Sequence, residues 1–408
     1  MRSTCVALLF LFAAGCGAKH GSQEAAQGPD VVAQLDDHHV LTTPVTVGNL
    51  TVWPVRTDRP LDLGEFLTLE EALAKGAAEV RETGGGDARP QQVAAAPGQT
   101  RNVFVPQQEA SAPPPADQAD EPAQTLGEAQ ELEQQLAQVI GGATVNTLVI
   151  ENKGDLPILV CAGTVVKGGN QDRQIGQDFV IKAKSETPVD AFCVEPGRWQ
   201  QERLGTDTGG KFQVLDGMAT AKVRAKGQYE KDQGGVWQEV AQVREQAVRP
   251  VSNTTVAPMT AESTSYAVAF DANAAASRED LKRCEDAVKA RFAQGADVVG
   301  FAYAINGKPV AVRTFAHPRL LKKQLDDFVR GMATEALLGK TDAATKPADA
   351  KDVVALVERI SASGETVSET SGLNRNGVRV HADGFNANCY IADKEGKLQP
   401  LTQDWTAK

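Results

Sequence analysis

The chain has 408 residues, 41% of them hydrophobic and 23% charged, an ordinary composition for a folded protein with a sizeable core. Its formal net charge is −11. An acidic chain gains no counterion-release energy on nucleic acid, and no Lys/Arg run interleaved with aromatics offsets this, so nucleic-acid binding is excluded. The length suits two domains or one elaborated domain with insertions.

Met1 and Arg2 form a short basic start, and Val6 to Phe12 is an apolar run too short to span a bilayer. Ala13-Ala14-Gly15-Cys16 follows, small residues before a cysteine, which resembles the lipobox of a bacterial lipoprotein. That resemblance implies removal of residues 1–15 as a signal peptide and lipidation of Cys16. A plain secretion signal that happens to end in cysteine is the alternative. Gly17 rather than Asp after the cysteine favours the outer membrane. The expected location is therefore the cell envelope, lipid-anchored at the periplasmic face of the outer membrane. Residues 16–43 read as a polar tether.

GNLTVWPV (48–55) predicts a strand by its alternation. TLEEALAKG (68–76) predicts a short helix, with Thr68 and Glu71 as a capping box and Gly76 closing it. Residues 44–82 thus form the N-terminal part of a domain. From 83 to 142 the composition shifts to Gly, Pro, Ala and Gln, as in GGGDARP and SAPPPADQADEPAQ, which cannot bury a core. A helical segment near Leu126–Ile140 is expected within this insertion.

The remainder, 143–408, resumes with VNTLVIENKGDLPILV (145–160), which predicts a hairpin, and with strands over 164–167, 178–183 and 188–195. A second disordered insertion is expected from Trp199 to about residue 235. VWQEVAQVREQA (236–247) predicts a helix and YAVAF (266–270) a strand. SREDLKRCEDAVKARFAQG (277–295) predicts a helix, with Ser277 and Asp280 resembling a capping box. In VVGFAYAINGKPVAVRTF (298–315), Asn306-Gly307 predicts a type I′ hairpin turn. Helices follow over 318–338 and 350–362, then short strands. Many links are hairpins, which predicts an α+β fold with mixed or antiparallel sheets, packed helices and two disordered insertions.

Chemistry-bearing residues concentrate in GGNQDRQIGQDFVIKAKSETPVDAFCVEPGRW (168–199). Arg173 and Arg198 are candidates for binding negative charge, and Gln171 for orienting a ligand. Trp199 is a candidate for stacking, and Gly168 and Gly169 for close backbone approach. Glu195 is the candidate base and Cys193 the candidate nucleophile. Extended geometry places Cys193 and Glu195 on one strand face, about 7 Å apart. A carboxylate there raises a thiol pKa rather than activating it, so an arginine would have to lower it. The bland readings stand beside these: a Glu195 salt bridge to Arg173 or Arg198, glycines at a bulge, a core tryptophan, a buried Cys193.

Four further cysteines, Cys161, Cys193, Cys284 and Cys389, allow three full pairings. A disulfide between Cys161 and Cys193 is one option, and Cys284 suits a helix core face. No CxxC spacing occurs and the five histidines are scattered, so no metal site is expected and no cofactor is implied. His317 before Pro318 suits a helix cap. No GxSxG elbow or P-loop is present.

The runs GTVVKGGNQDR (163–173) and FCVEPGRW (192–199) resemble the ADP-ribosylglycohydrolase- and rhodanese-phosphatase-associated protein domain family, with its Gly-Gly-x-Gln-x-Arg and Cys-Val-Glu-x-Gly-Arg-Trp elements. NLTVWPV, TLEEALAKG, QGGVWQEV (233–240) and VGFAYAINGKPVAVRTF (299–315) extend the resemblance over about 44–400. It implies an anionic, nucleotide-like (ADP-ribose-type) ligand at 168–199. The other reading is a noncatalytic envelope scaffold or interaction module, in which these residues are structural and the insertion contacts partners.

Overall fold

Strands begin earlier in the chain than its polar composition suggests. The computed structural model describes residues 30–82, 146–198, 200–248, 264–341 and 346–408. Val31–Gln34 (β1), His39–Thr42 (β2) and Val45–Val47 (β3) lead into Leu50–Thr57 (β4). The tether assigned to 16–43 is corrected accordingly: its last part belongs to the main sheet. Leu35 and Leu41 are buried there, so two apolar residues in a polar run outweigh its composition. β4 is buried on both faces, as a central strand requires.

Leu67–Thr68 (β5), Leu69–Ala74 (α1) and Ala78–Glu82 (β6) come next. The capping box is formed: Thr68 accepts the Glu71 N–H and Glu71 accepts the Thr68 N–H. Gly76 takes φ +64°, which a side chain would resist. The expected helix at 126–140 lies outside the described residues, as does the whole of 83–142.

Thr147–Asn152 (β7), Ile158–Val160 (β8), Thr164–Gly168 (β9), Arg173–Ile175 (β10), Phe179–Ile181 (β11) and Ser185–Cys193 (β12) follow. β7 and β8 do not form the predicted hairpin. β7 pairs with β6 and β12, while β8 pairs with β11 and, in parallel, with β5. The Asn152 side chain holds Leu156 O, Ile181 O and the Gly154 N–H, which turns the chain away into a different sheet.

The second insertion is ordered, not disordered. It holds Glu202–Arg203 (β13), Thr206–Asp207 (β14), Phe212–Met218 (β15), Ala221–Ala225 (α2) and a π-helical turn at Lys226–Glu230, before Gln233–Val248 (α3). Phe212, Leu215, Met218 and Val223 are buried, so this polar-looking segment still contributes core. Residues 266–270 are helical, in Tyr266–Ala276 (α4). Ser265 caps the helix by accepting the Ala267 N–H, and Tyr266, Phe270 and Asn273 share a buried face at helical spacing. The alanine-rich continuation decides the matter over the aromatic β-propensity of YAVAF.

Arg278–Phe292 (α5) buries Leu281, Cys284, Val288 and Phe292, although the Ser277 side chain makes no cap bond. Val298–Ile305 (β16) and Lys308–Phe315 (β17) form the predicted hairpin, with Asn306 and Gly307 at φ 52° and 76°. Pro318–Leu338 (α6) starts under His317, whose Nδ1 accepts the Arg319 N–H. Ala350–Ser361 (α7) and the strands Thr366–Glu369 (β18), Asn374–His381 (β19), Gly384–Ala392 (β20) and Leu398–Ala407 (β21) end the chain.

The large sheet has ten strands in the order β1-β2-β4-β16-β17-β21-β20-β19-β18, with β3 beside β4. One face packs on α5 and α6 through Phe301, Phe315, Phe328 and Met332. The other packs on α7 through Trp53, Val312, Leu356 and Trp405. A six-stranded sheet, β15-β9-β10-β12-β7-β6, and a three-stranded sheet, β11-β8-β5, share a core with α1. Apart from β5–β8, the strand pairs are antiparallel. With seven α-helices among the described residues, the fold is α+β with mixed and antiparallel sheets.

α6 also carries a titration handle. Burial, then the charges of Glu70, Asp216 and Asp326, push the Asp327 carboxyl up to about 7. Unfolded, it would titrate near about 4. The native state therefore keeps a proton that the unfolded chain releases, and this contribution is complete below pH about 4 and lost as pH rises to about 7. Asp327→Asn should flatten the decline in melting temperature over that window. Calorimetric scans of both proteins across it check this.

Candidate functional site

The 168–198 stretch is built around a tight turn between β9 and β10. Gly168 has φ +135°, and a Cβ there would lie 2.0 Å from Lys211 O; a Cβ on Gly169 would lie 2.2 Å from the Phe212 ring. Close approach of β15 is thus what these glycines permit. Gly168→Ala is expected to destabilise by more than the ~1 kcal/mol of an ordinary backbone strain, since the clash is with main chain. Urea unfolding of the variant checks it.

Four N–H groups of this turn already have acceptors. Gly168 N–H goes to Asp172 Oδ1, Gly169 N–H to Lys211 O, Asn170 N–H to Glu82 Oε1 and Asp172 N–H to Glu195 Oε2. A phosphate cradle needs such groups turned toward a ligand. Here they close the turn instead.

Asp172 is the centre of the array and is fully buried. It accepts from Gly168 N–H, from the Ser265 hydroxyl at 2.6 Å and from Arg203 through Nε and Nη2; Arg198 Nη2 lies 3.3 Å away. Arg198 also binds Glu195 at 2.7 Å and the carbonyls of Gly168, Gly169 and Gln200. Glu195 therefore holds the Arg198 salt bridge that the sequence allows. Arg173 does not reach it. Its guanidinium donates to Gln171 Oε1 at 2.6 Å and lies 3.6 Å from Glu82, while Gln171 donates to Glu195 O.

Cys193 ends β12 opposite Arg173 and is fully buried. Its backbone N–H and C=O are both bonded by the Gln233 side-chain amide at 2.8 Å, which extends the sheet with a side chain. Cys161 carries a free thiol, so the Cys161–Cys193 disulfide is not formed. Burial pushes the Cys161 thiol up to about 12, which keeps it protonated and inert. Cys284 lies on its predicted core face. Trp199 and Cys16 lie outside the described residues.

Candidate residues from the sequence are thus brought together: Gly168, Gly169, Gln171, Arg173, Cys193, Glu195 and Arg198 meet at one turn. The sequence reading missed Asp172 as their hub, and Arg203, Ser265, Glu82 and Gln233 as partners. The signal for Asp172 was present, an acidic residue between Gln171 and Arg173. Nothing local marked Ser265, 93 residues on.

A second charged cluster joins the sheets. Arg313, fully buried on β17, binds Asp178 at 2.6 Å and Asp404 at 3.3 Å; Arg224 lies 3.4 Å from Asp404. Asp178 also accepts from Ala162 N–H and from the Thr402 hydroxyl. Burial alone would raise the Asp178 carboxyl, but Arg313 and these donors hold it below its ordinary value. Burial works against the Arg313 charge too, and the facing carboxylates outweigh it.

A search of curated proteins and a search of solved structures each returned no match. A family model matches residues 111–400, which covers the six-stranded sheet's signature turn and strands β16 to β20 of the ten-stranded sheet. On that match, the chain belongs to the ARG and Rhodanese-Phosphatase-superfamily-associated Protein domain family.

Proposed function

We propose that this is a lipid-anchored cell-envelope protein, attached at Cys16 to the periplasmic face of the outer membrane, that acts as a noncatalytic scaffold or interaction module. The supporting observation is the 168–198 array. Its charges and four of its turn N–H groups are met within the chain, around a carboxylate with no solvent contact. Such an array fixes a fold and leaves Glu195 and Cys193 poorly placed for chemistry. Cys16→Ala should move the protein from the membrane to the soluble fraction, and recovery of the variant in the membrane fraction would sink the anchor.

The second reading is binding of an anionic or nucleotide-like (ADP-ribose-type) molecule at the array. It draws on the family's printed name and on the arginines Arg198 and Arg203, whose side chains keep 11% and 19% exposure. Melting of wild type, Glu195→Ala and Arg198→Ala with phosphate- and nucleotide-containing ligands separates the two. Large losses in both variants without any ligand shift support the scaffold. Near-native variants, with a ligand shift only in wild type, would replace it with the binding site.

A further inference from the structure

Away from the array, a cleft of about 240 Å³ opens at one end of the ten-stranded sheet. Strand register sets its floor. His39 is opposite Thr57, and Thr314 is opposite Gln403. Two residues further along the same face, the sheet turns apolar with Val55, Val312 and Trp405, and α7 covers it there. No residue of α7 lines the cleft, so the polar row is left open.

The lining contains Arg59 and Lys397 and no carboxylate, in a chain of net charge −11. Both cations are exposed, and neither has an ion-pair partner among the described residues. Asp36 and Asp58, from the adjoining turns, are engaged with His39 at 2.9 Å and His38 at 3.3 Å. Asp393 holds the Lys397 N–H and the Gln399 amide, which fixes the turn that presents Lys397, and its charge also acts on the Lys397 ammonium from beyond ion-pair distance. Thr57 Oγ1 accepts the Arg59 N–H, so its own proton remains to be donated. Gln403 meets Thr314 through its oxygen and offers its amide nitrogen.

We propose that this cleft binds a small hydroxylated anion. Arg59 and Lys397 take its negative charge, and Thr57 and Gln403 take its hydroxyls. The volume lies a little below the range of drug-sized sites, about 300–1,000 Å³. A sugar phosphate or a hydroxycarboxylate fits that chemistry and that size. The proposal does not depend on the role given to the 168–198 array.

Calorimetric titration of the full chain tests it, with ribose 5-phosphate, citrate, inorganic phosphate and uncharged ribose as probes. Wild type should bind ribose 5-phosphate or citrate more tightly than inorganic phosphate, and should not bind ribose. The winner of the first two tells a phosphate ester from a polycarboxylate. Arg59→Gln/Lys397→Gln should weaken that binding by at least about tenfold, as loss of charge-assisted contacts requires. The charge-matched control Lys282→Gln/Lys351→Gln should bind as wild type does. Because the substituted side chains are exposed, the variants should fold normally, and unchanged melting temperatures verify this. Absence of binding by wild type to every anion would overturn the proposal. So would equal weakening in both double variants, or inorganic phosphate matching the hydroxylated probes.

Discussion

Asp172→Ala is expected to lower folding stability by about 3–5 kcal/mol, the usual cost of breaking a buried ion pair from one side. The carboxylate is the common acceptor for Arg203, Arg198, the Ser265 hydroxyl and the Gly168 N–H. Its removal leaves the Ser265 and Gly168 donors buried and takes an anion from between two largely buried guanidinium groups. Glu195 remains near Arg198 and softens the loss on that side only. Asp172→Asn keeps the shape and one acceptor oxygen, so it should fall between wild type and Ala. Urea unfolding at neutral pH measures all three. A cost below about 1 kcal/mol for Asp172→Ala would show that the turn does not depend on its hub. Hydrogen exchange adds a spatial check, because protection should fall first over 168–203.

Arg313→Ala is expected to cost as much, about 3–5 kcal/mol, and to reverse a pH dependence. In the wild type the Asp178 carboxyl lies below its ordinary value. Its stabilisation is therefore present above the unfolded value near about 4 and is lost as pH falls through the lower folded value. Without Arg313, burial dominates and raises the same carboxyl. The variant should then gain stability as pH falls from neutral toward about 4, because the native state takes up a proton first. Melting temperatures of the two proteins across that range should converge on acidification. Parallel curves would mean that Asp178 does not depend on Arg313. Arg313→Met keeps some of the packing over Phe315 and Phe328 and helps separate lost charge from lost volume.

Local chemistry made much of the fold legible. The Thr68–Glu71 box, the Asn306-Gly307 turn and the Pro318 helix start each depend on a few adjacent residues, and each is formed. The misreadings arose where a distant partner decides. Leu35 and Leu41 acquire meaning only against α7 and Trp53, and β7 and β8 only through the different strands on either side of them in sequence that each one joins. YAVAF became a helix because Ser265 caps it and alanines continue it. In the site, the local density of Gln, Arg and Glu marked the right turn. The hub stayed hidden because its partners, Arg203 and Ser265, are 31 and 93 residues away. The Arg313 cluster spans 135 residues to Asp178, beyond any local pattern.

The pairing of β6 with β7 bears on how the chain has been able to grow. Glu82 sits opposite Leu148, so everything between them enters and leaves through one antiparallel rung. Glu82 is further tied to Asn170 and Arg173 across the signature turn. The rung fixes both ends of whatever chain joins them. Its closure entropy rises only with the logarithm of its length, about 0.6 kcal/mol for each doubling. That rung is a permissive splice point. A longer or shorter connection between those two ends therefore costs the sheet little, as long as the rung between Glu82 and Leu148 stays paired.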